Sequence, residues 1–238
     1  MRILALDTST EYLSLALQLD DQVLHFDALA GQSHSLQILP QIRALLNKAN
    51  IELAGLDGIA FGAGPGSFTG VRIACGIAQG LAFGANLPVV GVNTLMALAE
   101  ASAQQSNCYK VIACLDARMG EVYHAAFVRE SIGENSVWIE VSPSGLFKPQ
   151  AMPSVDGDDW VGVGSGWFTY GEQLTEFYGA HVKQVLPQAL PTALAVLSIA
   201  QPLFAAGLAK PASEAAPIYI RNKVALKTAE RALGLKLN

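Results

Sequence analysis

"MRILALDTSTEYLSLALQLDDQVLHFDAL", residues 1–29, opens with an apolar run that ends in an acid at Asp7 and continues into two alternating runs, 12–19 and 22–29, joined at Asp20-Asp21. Apolar residues at period two, interrupted by short polar turns, read as a three-strand meander. The pattern returns in the second half as "VIACLD" (111–116), "EVYHAAFV" (121–128) and "VWIEV" (137–141). The turns after the two acids also correspond, with Glu11-Tyr12 following Asp7 and Glu121-Val122-Tyr123 following Asp116. Each meander leads into alternating helix and strand signals, which is the pattern of a parallel extension to a sheet. The expectation is an α/β protein of two duplicated lobes, 1–106 and 107–238, jointed at "AQQSN" (103–107).

Within the first lobe the pattern predicts helices near 35–49, 69–84 and 93–104 and strands near 58–62 and 88–92, with Pro40 kinking the first helix or marking its start. In the second lobe it predicts strands near 159–163 and 182–186 and helices near 169–178, 192–206 and 222–233. With 238 residues, 51% of them apolar, the chain has ample material for buried cores. A net charge of -5 argues against a surface that is one large nucleic-acid footprint. The tail differs: from Arg221 onward five Lys or Arg stand against one Glu, a net charge of +4 that leaves -9 for the remainder. Cys75, Cys108 and Cys114 are odd in number and form no C-x-x-C, the usage of thiols packed as small hydrophobes in a reducing, cytoplasmic setting. The uncharged span 73–99 is interrupted by Asn86, Pro88 and Asn93 and reads as a buried helix and strand, not a membrane span.

The stretch "DGIAFGAGPGSFTGVRIACGIAQGLAFGANLPVVGVN" (57–93) has the outline of a nucleotide-binding turn. It fails both common fingerprints. Gly62-Ala63-Gly64 is followed at the third glycine position of G-x-G-x-x-G by Ser67, and no glycine pair is followed by the lysine of a P-loop. Gly66 and Gly70 permit a tight turn into the helix, which Ser67 or Thr69 can cap. The helix itself carries Gly76, Gly80 and Gly84 at four-residue spacing, each costing ~0.5 to 1 kcal/mol relative to alanine. Such spacing makes one flat face that accepts a close backbone, either of this protein's own sheet or of a partner.

Four segments, "ILALDTST", "GPGSFTGVRI", "LDARMGEVY" and "APIYIR", together resemble the TsaB (YeaZ) family, bacterial proteins of threonylcarbamoyladenosine synthesis on tRNA. The resemblance spans the chain. It implies the actin, Hsp70 and sugar-kinase fold, an RNase H-like architecture of two duplicated lobes. It also implies a non-catalytic subunit that pairs with the catalytic paralogue TsaD, is joined by the ATPase TsaE, forms a homodimer when alone, meets tRNA through the complex and has no membrane association. The first-lobe helices are the family's pairing elements, which points the Gly76, Gly80 and Gly84 face toward a partner.

TsaD-like chemistry implies a metal on two histidines four apart, and this chain, with His25, His34, His124 and His181, has no H-x-x-x-H. His34 reads as a capping or surface residue ahead of the first helix. Kinases of this fold place D-x-G-x-T at the first turn; here Asp7, Thr8 and Ser9 form a degenerate phosphate turn without the glycine. The second turn puts Arg118 and Met119 where a cradle is small, and "VGVGSG" (161–166) suits either an adenine wall or a close strand-to-helix turn. No cofactor is expected, with weak nucleotide binding as the open alternative. The competing functional reading is an ATP-dependent small-molecule kinase or ATPase of the same fold; a metallopeptidase would need bound metal. Lys223, Lys227 and Arg231 form the basic side of the final predicted helix, either as a solvated face or as a tRNA contact.

Overall fold

In the computed structural model, which describes residues 1–132 and 135–221, both meanders form. The first half runs β1 (Arg2–Asp7), β2 (Tyr12–Leu19), β3 (Gln22–Leu29), α1 (His34–Ala49), β4 (Gly58–Gly64), α2 (Phe68–Ala85), β5 (Val89–Asn93) and α3 (Thr94–Ser106). The second runs β6 (Lys110–Asp116), β7 (Val122–Ile132), β8 (Asn135–Phe147), β9 (Trp160–Val163), α4 (Ser165–Thr169), α5 (Gly171–Tyr178), β10 (Val182–Leu186) and α6 (Ala193–Ala205). The two sheets have the orders β3-β2-β1-β4-β5 and β10-β9-β6-β7-β8, which are the same order read from opposite edges. In each, the strand that ends in the acid pairs antiparallel with the meander and parallel with the extension: Ala5 faces Ala16 and Ala60, Ala113 faces Ala125 and Val163. This is the duplicated actin, Hsp70 and sugar-kinase architecture.

Period-two alternation fixes which face of the first sheet meets what. Leu4 and Leu6 pack under α1 and α2, while Ile3 and Ala5 on the opposite face meet α3 and α6. In the second sheet, Val111, Ala113 and Leu115 meet α3, and Ile112 and Cys114 meet α4 and α5. Two helices therefore lie between the sheets. Helix α6, from the second half of the chain, covers the first sheet, and α3, from the first half, is buried against the second.

The central helices share one buried carboxylate. Glu100 on α3, 4% exposed, accepts hydrogen bonds from Gln104 on the same helix (3.0 Å), Ser198 on α6 (2.9 Å) and the Trp138 indole on β8 (2.8 Å), and the Arg129 guanidinium on β7 lies 3.6 Å away. One side chain thus ties the helix on the first sheet to strands of the second.

Several boundaries differ from the expected ones for local reasons. Helix α3, expected to end near 104, continues through "AQQS" to Ser106, where Asn107 adopts the left-handed conformation (φ 54°) and returns its N–H to the Ala103 carbonyl. Asn50 and Asn86 end α1 and α2 in the same way. Pro40 lies inside α1, which already begins at His34. The helix expected at 169–178 forms as α5, and a further short helix, α4, precedes it and ends just before Tyr170, whose hydroxyl reaches Asp116 at 3.4 Å. The helix expected at 222–233 lies outside the described residues.

Candidate partner face and glycine-rich turns

The loop between β4 and α2 owes its glycines to the first turn. A Cβ on Gly62 would collide with the Asp7 carboxylate, one on Gly66 with the Ser9 carbonyl, and one on Gly70 with the Thr8 carbonyl. Hydrogen bonds close the same contact: Ser67 N–H donates to the Ser9 carbonyl (2.7 Å) and the Thr8 hydroxyl to the Gly70 carbonyl (2.7 Å). Ser67 also caps α2 by accepting from Gly70 N–H at 3.3 Å, and Thr69 is not the cap. The space that glycine frees is filled by the Asp7 carboxylate and the backbone of Thr8 and Ser9, so this turn does not fit a phosphate. Asp7 is fully buried; its Oδ1 accepts from the backbone N–H and hydroxyl of Ser9, while Oδ2 has no partner among the described residues. Burial outweighs those two hydrogen bonds and pushes its pKa up to about 6.

The second turn is built from three consecutive left-handed residues, Arg118, Met119 and Gly120 (φ 62°, 59° and 76°). Asp116 accepts from the Arg118 N–H at 2.8 Å and its guanidinium at 3.1 Å. Arg221 holds the turn from outside, donating to the carbonyls of Ala117 and Arg118 and pairing with Glu121 at 2.6 Å. Three residues earlier, Ile218 N–H donates to the Ala63 carbonyl of the glycine loop (2.7 Å). The segment 216–221 thus stitches the two turns together, and all four segments that carry the family resemblance meet. Sequence reasoning missed this. It counted Arg221 with the basic tail, yet that side chain is 10% exposed and its charge is taken by Glu121. The only hint was the polar and aromatic content of "APIYIR" just ahead of the tail.

The glycines of 161–166 are likewise occupied by protein. A Cβ at Gly162 would strike Trp167, and at Gly164 or Gly166 the backbone of Cys114. His34, expected as a capping or surface residue, is buried at the start of α1 with Nε2 3.2 Å from the Tyr12 carbonyl. His124 is buried against the Tyr178 hydroxyl (3.0 Å), and desolvation holds its pKa down to about 4. Cys75, Cys108 and Cys114 are buried free thiols. Among the described residues no group of three His, Cys, Asp or Glu side chains is arranged to hold a metal ion.

The glycine face has the opposite character. Ala74, Ala78 and Ala82 carry α2 onto the first sheet, and Gly76, Gly80 and Gly84 lie on the exposed side, where an added Cβ meets nothing among the described residues within 4 Å. The stripe is not pressed on the protein's own sheet. At 18 residues and mean hydropathy 1.2, α2 is long and apolar enough to cross a membrane by length and composition, yet only 33% of it is buried, in contrast to the shorter buried helix expected. Phe68 (51% exposed) and Phe83 (77%) stand at its two ends, and Leu36 (77%) and Leu39 (46%) extend the apolar surface onto α1. Between α1, the end of α2 and residues 51–53 runs a groove of about 670 Å³, lined by Leu39, Leu46, Ile51, Leu53 and Leu81 with Arg43 and Glu52 at its edge.

The chain is 42% identical to the tRNA threonylcarbamoyladenosine biosynthesis protein TsaB of Escherichia coli K12, over 95% of this chain and 97% of that relative. The chain belongs to the TsaB family. TsaB of Haemophilus influenzae stands at the same 42% identity, over 95% of this chain and 96% of the relative. The solved structure of YeaZ from Pseudomonas aeruginosa superimposes with a TM-score of 0.83 at 35% identity, covering 92% of this chain and 99% of that one. A family model described as TsaD, tRNA N6-adenosine threonylcarbamoyltransferase, matches residues 28–226, so this TsaB-family chain also carries the wider TsaD pattern. Of the residues singled out from sequence, Asp7, Thr8 and Ser9 lie together beneath the glycine loop, and Gly76, Gly80 and Gly84 form one bare stripe. Lys223, Lys227 and Arg231 lie outside the described residues.

Proposed function

We propose that this chain is a non-catalytic assembly subunit in the formation of tRNA N6-threonylcarbamoyladenosine. It pairs through the α1/α2 face with the catalytic protein TsaD, and the ATPase TsaE joins the pair. The observation that carries the reading is the bare glycine stripe. Three glycines lower the stability of α2 by ~1.5 to 3 kcal/mol relative to alanine, and no atom of the described residues uses the room they leave. A second backbone does. The relatives' names supply the pathway, and the self-filled turns favour a subunit over an ATP phosphotransferase. Without TsaD the same face pairs two copies of the chain. The buried free thiols suit the cytoplasm, and tRNA is met through the complex.

The test is co-expression with the cognate TsaD. The two are expected to copurify, and threonylcarbamoyl transfer to tRNA is expected to require this chain, which alone turns over no ATP. TsaD working at full rate without it, or an ATPase activity of the lone chain that disappears on Asp7→Ala, would overturn the reading.

A further inference from the structure

The exposed stripe of α2 does not consist of glycine alone. One turn before Gly76, at the same four-residue spacing, stands Arg72, and one turn before that Phe68. The Arg72 guanidinium carbon lies 3.6 Å from the Phe68 ring centre and 5.5 Å from that of Tyr219, and its Nε donates to the Tyr219 hydroxyl at 2.7 Å. Two rings and one hydrogen bond hold the side chain in place, so the entropy of ordering it is lost before any partner arrives. The two terminal nitrogens have no partner among the described residues. A planar fork with two parallel N–H donors, held in place, matches a carboxylate.

We propose that Arg72 is the carboxylate receptor of the α1/α2 face, and that the TsaD surface covering this face is apolar with an acidic side chain opposite Arg72. The inference rests on the pairing reading above and names the chemistry of the partner. Charge distribution supports it independently of the clamp. Helices α1 and α2 carry Arg43, Lys48 and Arg72 and no Asp or Glu, on a chain of net charge -5; the acids beside them lie off the two helices, Glu52 at the edge of the groove and Glu214 on the short turn packed against α2. A second copy paired through this face about a two-fold axis sets these like charges against one another, which makes self-pairing the weaker of the two associations. A partner with carboxylates on an apolar helix meets none of that repulsion. Covering the adjacent glycines also strips water from Arg72, which makes its pairing a condition of tight binding.

The experiment measures binding of the full chain to purified cognate TsaD by calorimetry, with self-association followed by sedimentation. Arg72→Met is expected to raise the Kd for TsaD on the order of 30-fold or more, with self-association undiminished and the melting temperature lowered by no more than the few degrees that its exposed contacts with Phe68 and Tyr219 account for. Arg72→Lys keeps the charge without the fork and is expected to remain at least ~10-fold weaker than wild type. Gly80→Leu serves as the control on the face itself. If Gly80→Leu abolishes binding while Arg72→Met stays within about threefold of wild type, well under a kcal/mol, the receptor is overturned and the face reading survives. Full binding by Gly80→Leu overturns both. Wild-type affinity of Arg72→Lys overturns recognition by the fork. Unchanged TsaD binding by Arg72→Met, with weaker tRNA binding by the complex, overturns the proposal in favour of a base-stacking platform.

Discussion

Replacing Glu100 by glutamine changes one atom and reverses one hydrogen bond at the centre of the molecule. In the native protein one carboxylate oxygen serves Gln104 and Ser198, and the other faces the Trp138 N–H at 2.8 Å and Arg129 at 3.6 Å. With Gln104 and Ser198 held as donors, a glutamine keeps its carbonyl for that pair and turns its NH2 toward the second, setting donor against donor. The orphaned indole costs ~1 to 3 kcal/mol. Arg129 loses its counter-charge while its own Nε is already buried without a partner among the described residues. Because that side chain keeps 25% exposure, water screens part of the loss. The sum is about 2 to 4 kcal/mol, a fall in Tm of roughly 5 to 15 °C for a domain of this size. Glu100→Ala is expected to lose a similar amount. Urea titration and thermal melts of both variants measure it. A Glu100→Gln protein melting within about 1 °C of wild type, a few tenths of a kcal/mol, would show that the site needs only the volume of the side chain.

Gly80→Leu adds a side chain into open space, so the isolated protein should keep its stability or gain up to ~1 kcal/mol from helix propensity, while pull-down with TsaD fails; a large drop in Tm would contradict the exposed stripe. Asp7 and His124 are expected to give opposite pH trends. The raised Asp7 pKa means the folded state holds the extra proton between about pH 4 and 6, so its contribution is full below pH 4 and is lost as pH rises to 6. The lowered His124 pKa means the unfolded state holds the extra proton, so its contribution is full above about pH 6.5 and is lost as pH falls to 4. Melts from pH 4 to 7 should therefore show Asp7→Asn gaining on wild type as pH rises and His124→Gln gaining as pH falls; curves parallel to wild type refute both assignments. Alanine at Lys223, Lys227 and Arg231 together should weaken tRNA binding by the complex and flatten its salt dependence, and an unchanged salt slope would leave the tail without a role in tRNA binding.

The meanders were legible because alternation over 2–7 and 12–29 repeats at 111–128, and side-chain period is a local property. The glycine loop was legible as a turn but not in its purpose. Gly62 and Gly70 answer to Asp7 and Thr8, more than fifty residues away, and no local pattern encodes a non-local approach. The three-glycine face was visible as a flat stripe; which side of α2 met the sheet was decided by Ala74, Ala78 and Ala82, as apolar in sequence as the face they oppose. Tyr219 and Arg221 escaped because their roles depend on Arg72 and Glu121, at separations of about a hundred residues or more. Helix α4 escaped for the same reason, since the hydroxyl of Tyr170, the residue between α4 and α5, has its partner Asp116 on a distant strand.

The exchange of α3 and α6 between the halves sets an order on the ribosome. When residue 106 has been made, every strand of the first sheet exists, yet the face formed by Ile3, Ala5, Ala16 and Ala60 has only the partial cover of Ala97 and Ala101 on α3 until residues 193–205 follow. At ~5 to 20 residues per second, that apolar surface waits for several seconds or more of synthesis. The N-terminal half therefore emerges as a nascent sheet in need of protection, and the two lobes, separable by eye in the sequence, complete their folding as one event near the end of translation.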